Sequence, residues 1–135
     1  MTTRRERGSA SIFVIGMSIV LLVCAGLVVD GGLAINARMR LADDAEQAAR
    51  AGADSINIDL LRKDGAIAIN EGEARRRAAG YLAQRGYGTY EVDFDGNAVV
   101  VHVTGTSRTT LLKLVNIPDF AINAEARAEP ETEPD

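Results

Sequence analysis

Apolar and polar positions change their spacing several times along this chain. From Ser9 to Val29 the sequence SASIFVIGMSIVLLVCAGLVV carries no charge over about 21 residues, long enough to cross a bilayer as one helix. From Gly31 a different spacing takes over. Leu33, Ala37, Leu41, Ala45, Ala48, Gly52 and Ile56 recur at steps of three and four, which places them on one helical face. Asn36, Arg40, Asp43, Asp44, Gln47 and Arg50 fall elsewhere on the wheel. The apolar face is mostly Ala and Gly, so a neighbour can approach closely. This pattern predicts that the apolar helix continues as an amphipathic one to about Leu61. Gly31-Gly32 is the expected kink, since each Gly costs about 1 kcal/mol against Ala inside a helix. Arg40 with Asp44 and Glu46 with Arg50 have the i,i+4 spacing of helix ion pairs, worth a few tenths of a kcal/mol each.

Arg62-Lys63-Asp64-Gly65 reads as a helix exit. Asn70 then resembles an N-cap, with Glu73 three residues on in a capping-box pattern. A second helix is predicted from Glu71 to about Gln84, with Ala74, Ala78, Tyr81 and Leu82 inward. Arg75, Arg76 and Arg77 are adjacent, so they fan around that helix, either as a solvated face or as a contact with acidic lipid or a partner. After Gly86-Tyr87-Gly88 come two strand-like runs, 89–94 and 98–105, on either side of Asp95-Gly96-Asn97, a strong hairpin signal. Val92, Phe94, Val99, Val101 and Val103 define one apolar face; the other is mixed, as in an antiparallel sheet covered on one side. Leu111 to Val115 reads as a short helix with a Thr109-Thr110 cap, broken at Asn116-Ile117-Pro118. Phe120 to Ala128 alternates as a third strand. The expected fold class is α+β: an N-terminal transmembrane helix continuing into an amphipathic helix, a second helix, and a three-stranded antiparallel sheet with a short helix before the last strand. The expected segments are a basic cytoplasmic arm (1–8), the transmembrane helix (9–29), an extracytoplasmic domain (30–128) and a disordered acidic tail (129–135).

Charge decides the orientation. Arg4, Arg5 and Arg7 precede the apolar run, while Asp30 closes it. Basic residues near a membrane segment stay on the cytoplasmic side. The expected topology is a single pass with the N-terminus cytoplasmic and the C-terminal domain outside. A cleaved signal peptide is the rival, with Val23-Cys24-Ala25 as the cleavage site; the apolar run continues past that site through Val29. Gly8 after a short basic leader also has the layout of a prepilin-type signal. Phe13 stands at the fifth position after it, where many such signals carry Glu.

The whole chain has net charge −4 and no Trp. It therefore offers neither the basic footprint of a nucleic-acid binder nor an obvious stacking platform. Cys24 is the only cysteine and lies in the apolar run, so no intrachain disulfide can form. His102 is the only histidine, too few for a zinc site of three or four ligands. No Gly-x-Ser-x-Gly elbow or phosphate-binding Gly-rich loop is present. Asp93-Phe94-Asp95-Gly96-Asn97 lacks the Gly and Glu spacing of a calcium loop. The expectation is a protein that is not an enzyme, with no cofactor, metal, nucleic acid or small-molecule substrate.

Several stretches together resemble the TadE/TadG-like proteins of the tight-adherence (Flp) pilus assembly system. They are Arg7-Gly8-Ser9-Ala10, the apolar run ending Val29-Asp30-Gly31-Gly32, and the Ala-rich stretch from Arg40 to Ala53 with its Asp43-Asp44-Ala45 and Ala51-Gly52-Ala53. The later Val99–Thr104, Leu111–Leu114 and Ile122–Ala128 stretches also resemble the end of such domains. The resemblance implies a minor pilin-like subunit or scaffold, a pseudopilin of a pilus or related secretion apparatus, anchored in a bacterial cytoplasmic membrane. Its implied partners are the lipid bilayer and other pilus-assembly membrane proteins or pilins. The residues expected to pack against a partner are Asp30, Leu33, Ala37, Leu41, Ala45, Ala48 and Gly52. The alternative is a secreted soluble binding module released by signal-peptide cleavage.

Overall fold

Helical structure begins at Arg4, ahead of the apolar run, in the computed structural model, which describes residues 4–131. The side chains of residues 1–7, most of the basic arm, and residues 132–135 of the acidic tail lie outside the described residues. The fold is α+β. Helix α1 spans Arg4–Ala53, followed by α2 (Ile58–Asp64), α3 (Glu71–Gln84), β1 (Thr89–Asp95), β2 (Ala98–Arg108), a 3-10 turn (Leu112–Val115) and β3 (Asp119–Ala128). Two compact units divide the chain: Met1–Ile35 with Ser107–Phe120, and Asn36–Thr106 with Ala121–Asp135.

The 50 residues of α1 form one uninterrupted helix through Gly31-Gly32. The Gly pair does not break it. Nor does α1 reach Leu61. Asp54 to Asn57 leave the helix because their backbone is engaged by the segment before α3. Asn57 N–H donates to the Ala68 carbonyl and Asn70 N–H to the Ser55 carbonyl, both at 2.7 Å, around an Ile56–Ile69 bridge. The Asn57 side chain then accepts from Leu60 N–H and starts α2. Gly65, in the left-handed region at φ 65, ends it, a conformation glycine adopts without steric cost.

Helix α3 has the predicted bounds and cap. Asn70 Oδ1 accepts from Glu73 N–H at 3.2 Å. The reciprocal half of the capping box is absent, because Asn70 N–H is taken by Ser55 and the Glu73 carboxylate binds Arg76 and Arg77. Those two guanidiniums hold the Glu73 carboxyl below its ordinary value, Arg76 most strongly. Arg75 turns instead toward the sheet. It donates to the Val92 carbonyl at 2.6 Å and lies over the Phe94 ring.

The sheet order is β1-β2-β3. Val92 pairs with Val101, and Asp95 with Ala98, across a two-residue turn. Gly96 there has φ 61 and Asn97 does not share the positive sign, the arrangement of a II′ turn with Gly first. The core of the second unit joins three contributions: Leu41, Ala45, Ala48, Ala49 and Ala53 from α1; Ala74, Ala78 and Leu82 from α3; Val92, Val99, Val101 and Val103 from the sheet. The small side chains of α1 set the close approach. A Cβ on Gly52 would lie 3.1 Å from Val99 Cγ1 and 3.2 Å from the Ala74 carbonyl oxygen.

Candidate functional site

In the first unit, the chain between β2 and β3 folds back onto the apolar part of α1. Asp30 makes the junction. Its carboxylate accepts three consecutive backbone N–H groups: Thr110 at 2.8 Å, Leu111 at 2.8 Å and Leu112 at 2.6 Å. Asp30 is only 1% exposed. A single carboxylate thus caps the first turn of the 3-10 segment, a place where free N–H groups would otherwise need partners. The Thr cap expected there is absent. Leu111 opens the turn with no side-chain cap bond. The Thr109 hydroxyl donates instead to the Ile117 carbonyl, and Thr109 N–H to Pro118. These two bonds close the loop across its base.

Next to Asp30, one turn back along α1, Gly26 lets the loop in. A Cβ there would meet Leu111 Cβ at 3.2 Å and Leu112 Cδ2 at 3.4 Å. Leu112 is buried, but Leu114 is 85% exposed and Leu111, Val115 and Ile117 are partly so. The loop and the helix border a groove of about 190 Å³ lined by apolar side chains, among them Ile19, Leu22, Val23, Leu114 and Val115. From Ile12 to Val29 most large side chains of α1 are exposed. Among the described residues this is the one helix long and apolar enough to cross a membrane.

The residues expected to pack against a partner divide. Leu41, Ala45, Ala48 and Gly52 are buried inside the second unit's own core. In this chain the Ala/Gly stripe packs against Ala74 and Val99. The Asp30 carboxylate is engaged by the N–H groups of its own loop. Ala37 is half-buried, and Leu33 remains 45% exposed.

In the second unit, Asp44 is a hub that i,i+4 spacing missed. Instead of Arg40, its partners are the Tyr87 hydroxyl, which donates to Oδ2 at 2.7 Å, and Arg85, whose Nη1 lies 3.4 Å from Oδ1. Burial and then the Asp44 acceptor push the Tyr87 phenol up to about 12. Glu46 and Arg50 do pair as spaced. On the polar face of the sheet, His102 Nδ1 lies 3.5 Å from Glu125 Oε2, and Glu91 stands opposite His102 in the β1–β2 register. Arg127 binds Asp95 and Glu129, which raise its pKa further. Among the described residues no group of three or more His, Cys, Asp and Glu is placed to hold a metal ion.

Sequence reasoning singled out Asp30 but not the loop N–H groups that it binds. It missed the loop's return to Gly26, for which the one local sign was an apolar stretch, Leu111 to Val115, too short to be a core helix. The family model named Tad, described as "Putative Flp pilus-assembly TadE/G-like", matches residues 8–55. That segment is α1 from Gly8 and the two residues after it. Comparison with curated proteins and with solved structures gave no match.

Proposed function

We propose that this chain is a membrane-anchored, non-enzymatic subunit or scaffold of a tight-adherence pilus or related secretion apparatus. The observation that carries this reading is the coincidence of the Tad match with α1. One helix supplies both an exposed apolar span and, beyond it, a stripe buried in a folded α+β core. A signal sequence near the N-terminus would meet the same length and hydropathy criterion. The loop favours retention: cleavage after Ala25 would remove Ile19, Leu22 and Val23 and leave Leu112, Leu114 and Val115 without their wall. The anchor is read with its N-terminus cytoplasmic. Partners among other pilus-assembly membrane proteins engage the exposed apolar positions Leu33 and Ile35, which the chain itself leaves uncovered.

The test is the intact mass of the protein from purified membranes, together with pilus assembly in cells lacking it. Full-length mass in the membrane, allowing for loss of Met1, and impaired assembly are the expected results. A mass beginning at Ser9 would show prepilin-type processing and incorporation into a filament. A soluble product beginning near Gly26 would overturn the anchor in favour of a secreted binding module.

A further inference from the structure

We infer that the loop between β2 and β3 is itself a membrane element: residues 111–117 lie in the hydrocarbon of the leaflet at the C-terminal end of the apolar run, as a wedge against α1. The inference rests on the anchor reading above. Depth along the helix carries it. The apolar run of about 21 residues is roughly 31 Å long at 1.5 Å per residue, and the bilayer core is about 30 Å thick. Val29 therefore stands near one edge of the hydrocarbon. Ala25 lies roughly 6 Å and Ile19 roughly 15 Å below it along the axis. The loop side chains Leu111, Leu112, Leu114 and Val115 border one groove with Ile19, Leu22, Val23 and Ala25. They share that depth.

The chemistry of the loop suits hydrocarbon. An unsatisfied backbone group costs several kcal/mol in hydrocarbon, so a loop at this depth needs its polar groups paired internally. Here the N–H groups of Thr110, Leu111 and Leu112 donate to Asp30. Those of Thr109, Leu114, Asn116 and Ile117 donate to carbonyls of the same loop. Pro118 has none to satisfy. The side chains left uncovered are apolar: Leu114 at 85%, Val115 at 46% and Ile117 at 42% exposure. Such a cluster on a water-facing loop would be an uncovered patch; in acyl chains it has a solvent. Lys113 is compatible with this depth because a lysine stem can carry its ammonium back to the headgroups.

The chain has no Trp, so a single introduced one reports its own surroundings. The full chain carrying Leu114→Trp is reconstituted in phosphatidylcholine vesicles with or without bromine at mid-chain. Leu21→Trp in the same vesicles reports the anchor. Both positions are exposed, so neither substitution disturbs packing, and circular dichroism checks this. The expected result is that both variants lose more than half their emission in brominated lipid. Loss from Leu21→Trp alone would overturn the wedge and leave the anchor standing. Loss from neither would overturn both. Blue-shifted but unquenched emission from Leu114→Trp would mean that a second copy or another protein covers the loop, which also overturns the lipid assignment.

Discussion

Replacing Asp30 by Ala removes the acceptor for three N–H groups at once. The Leu112 N–H is buried, and leaving it without a partner costs about 1–3 kcal/mol. Those of Thr110 and Leu111 are part-buried, and each loses a net contribution of about 0.5–1.5 kcal/mol. The sum is roughly 2–6 kcal/mol against docking of the loop. Leu112 still packs near Gly26, and the second unit keeps its separate core, so the damage is local. Hydrogen exchange read by mass spectrometry on the full chain in lipid nanodiscs is the direct assay. The amides of residues 110–112 are expected to exchange at least roughly 30-fold faster in Asp30→Ala, since each 1.4 kcal/mol is tenfold. Peptides from α3 and from β1 should keep their protection. Unchanged exchange at 110–112 would refute the role given to Asp30. Equal loss throughout the chain would refute its confinement to the first unit.

Three further outcomes follow from the packing of the second unit. Leu41→Ala, at a side chain 1% exposed, is expected to cost about 2–5 kcal/mol and to lower the thermal midpoint of that unit by circular dichroism; an unchanged midpoint would remove Leu41 from the core. Gly52→Val should cost about 1–3 kcal/mol, because the new Cβ meets Val99 and the Ala74 carbonyl, and urea denaturation that finds the variant as stable as the parent would contradict that approach. Tyr87→Phe removes the bond to Asp44, at a cost of about 1 kcal/mol at neutral pH. Its pH dependence has a definite sign: the folded phenol titrates near 12, above its ordinary 10.0, so this contact's stabilisation is complete below pH 10 and disappears as pH rises through 12. The gap between parent and Tyr87→Phe in chemical denaturation should therefore close across that window, and a gap that widened instead would contradict the assignment.

These contacts also change how a test of partner binding must be designed. An Asp at Leu41 or Ala45 would unfold the core before it reported on assembly, because a charge buried there has no partner. Leu33→Asp or Ile35→Asp alters an exposed position and separates the two effects.

Much of the fold was legible because its signals are local. A long uncharged run, an Asn with a Glu three residues on, and Asp-Gly-Asn between alternating strands each act within a few residues. The apolar helix, α3 and the hairpin follow from them. The α1 terminus was not legible. Helical spacing continues to Ile56, but Ser55 and Asn57 are captured by backbone groups of Ala68 and Asn70, and helix periodicity says nothing about a competitor more than ten residues away. The same reason explains Asp44, which spacing assigns to Arg40 and the fold assigns to Tyr87 and Arg85.

What the sequence alone determined is the character of each face: an apolar run fit for lipid, a small-residue stripe fit for close packing, and one carboxylate at the end of the run. Tertiary structure alone decided what each face meets. The stripe of Leu41, Ala45, Ala48 and Gly52 closes on this chain's own sheet and α3. Asp30 meets the N–H groups of residues 110–112, some eighty positions away. Hydrophobicity is non-directional, and a carboxylate accepts any donor of suitable geometry. Neither property names its partner, so only the closed chain could choose.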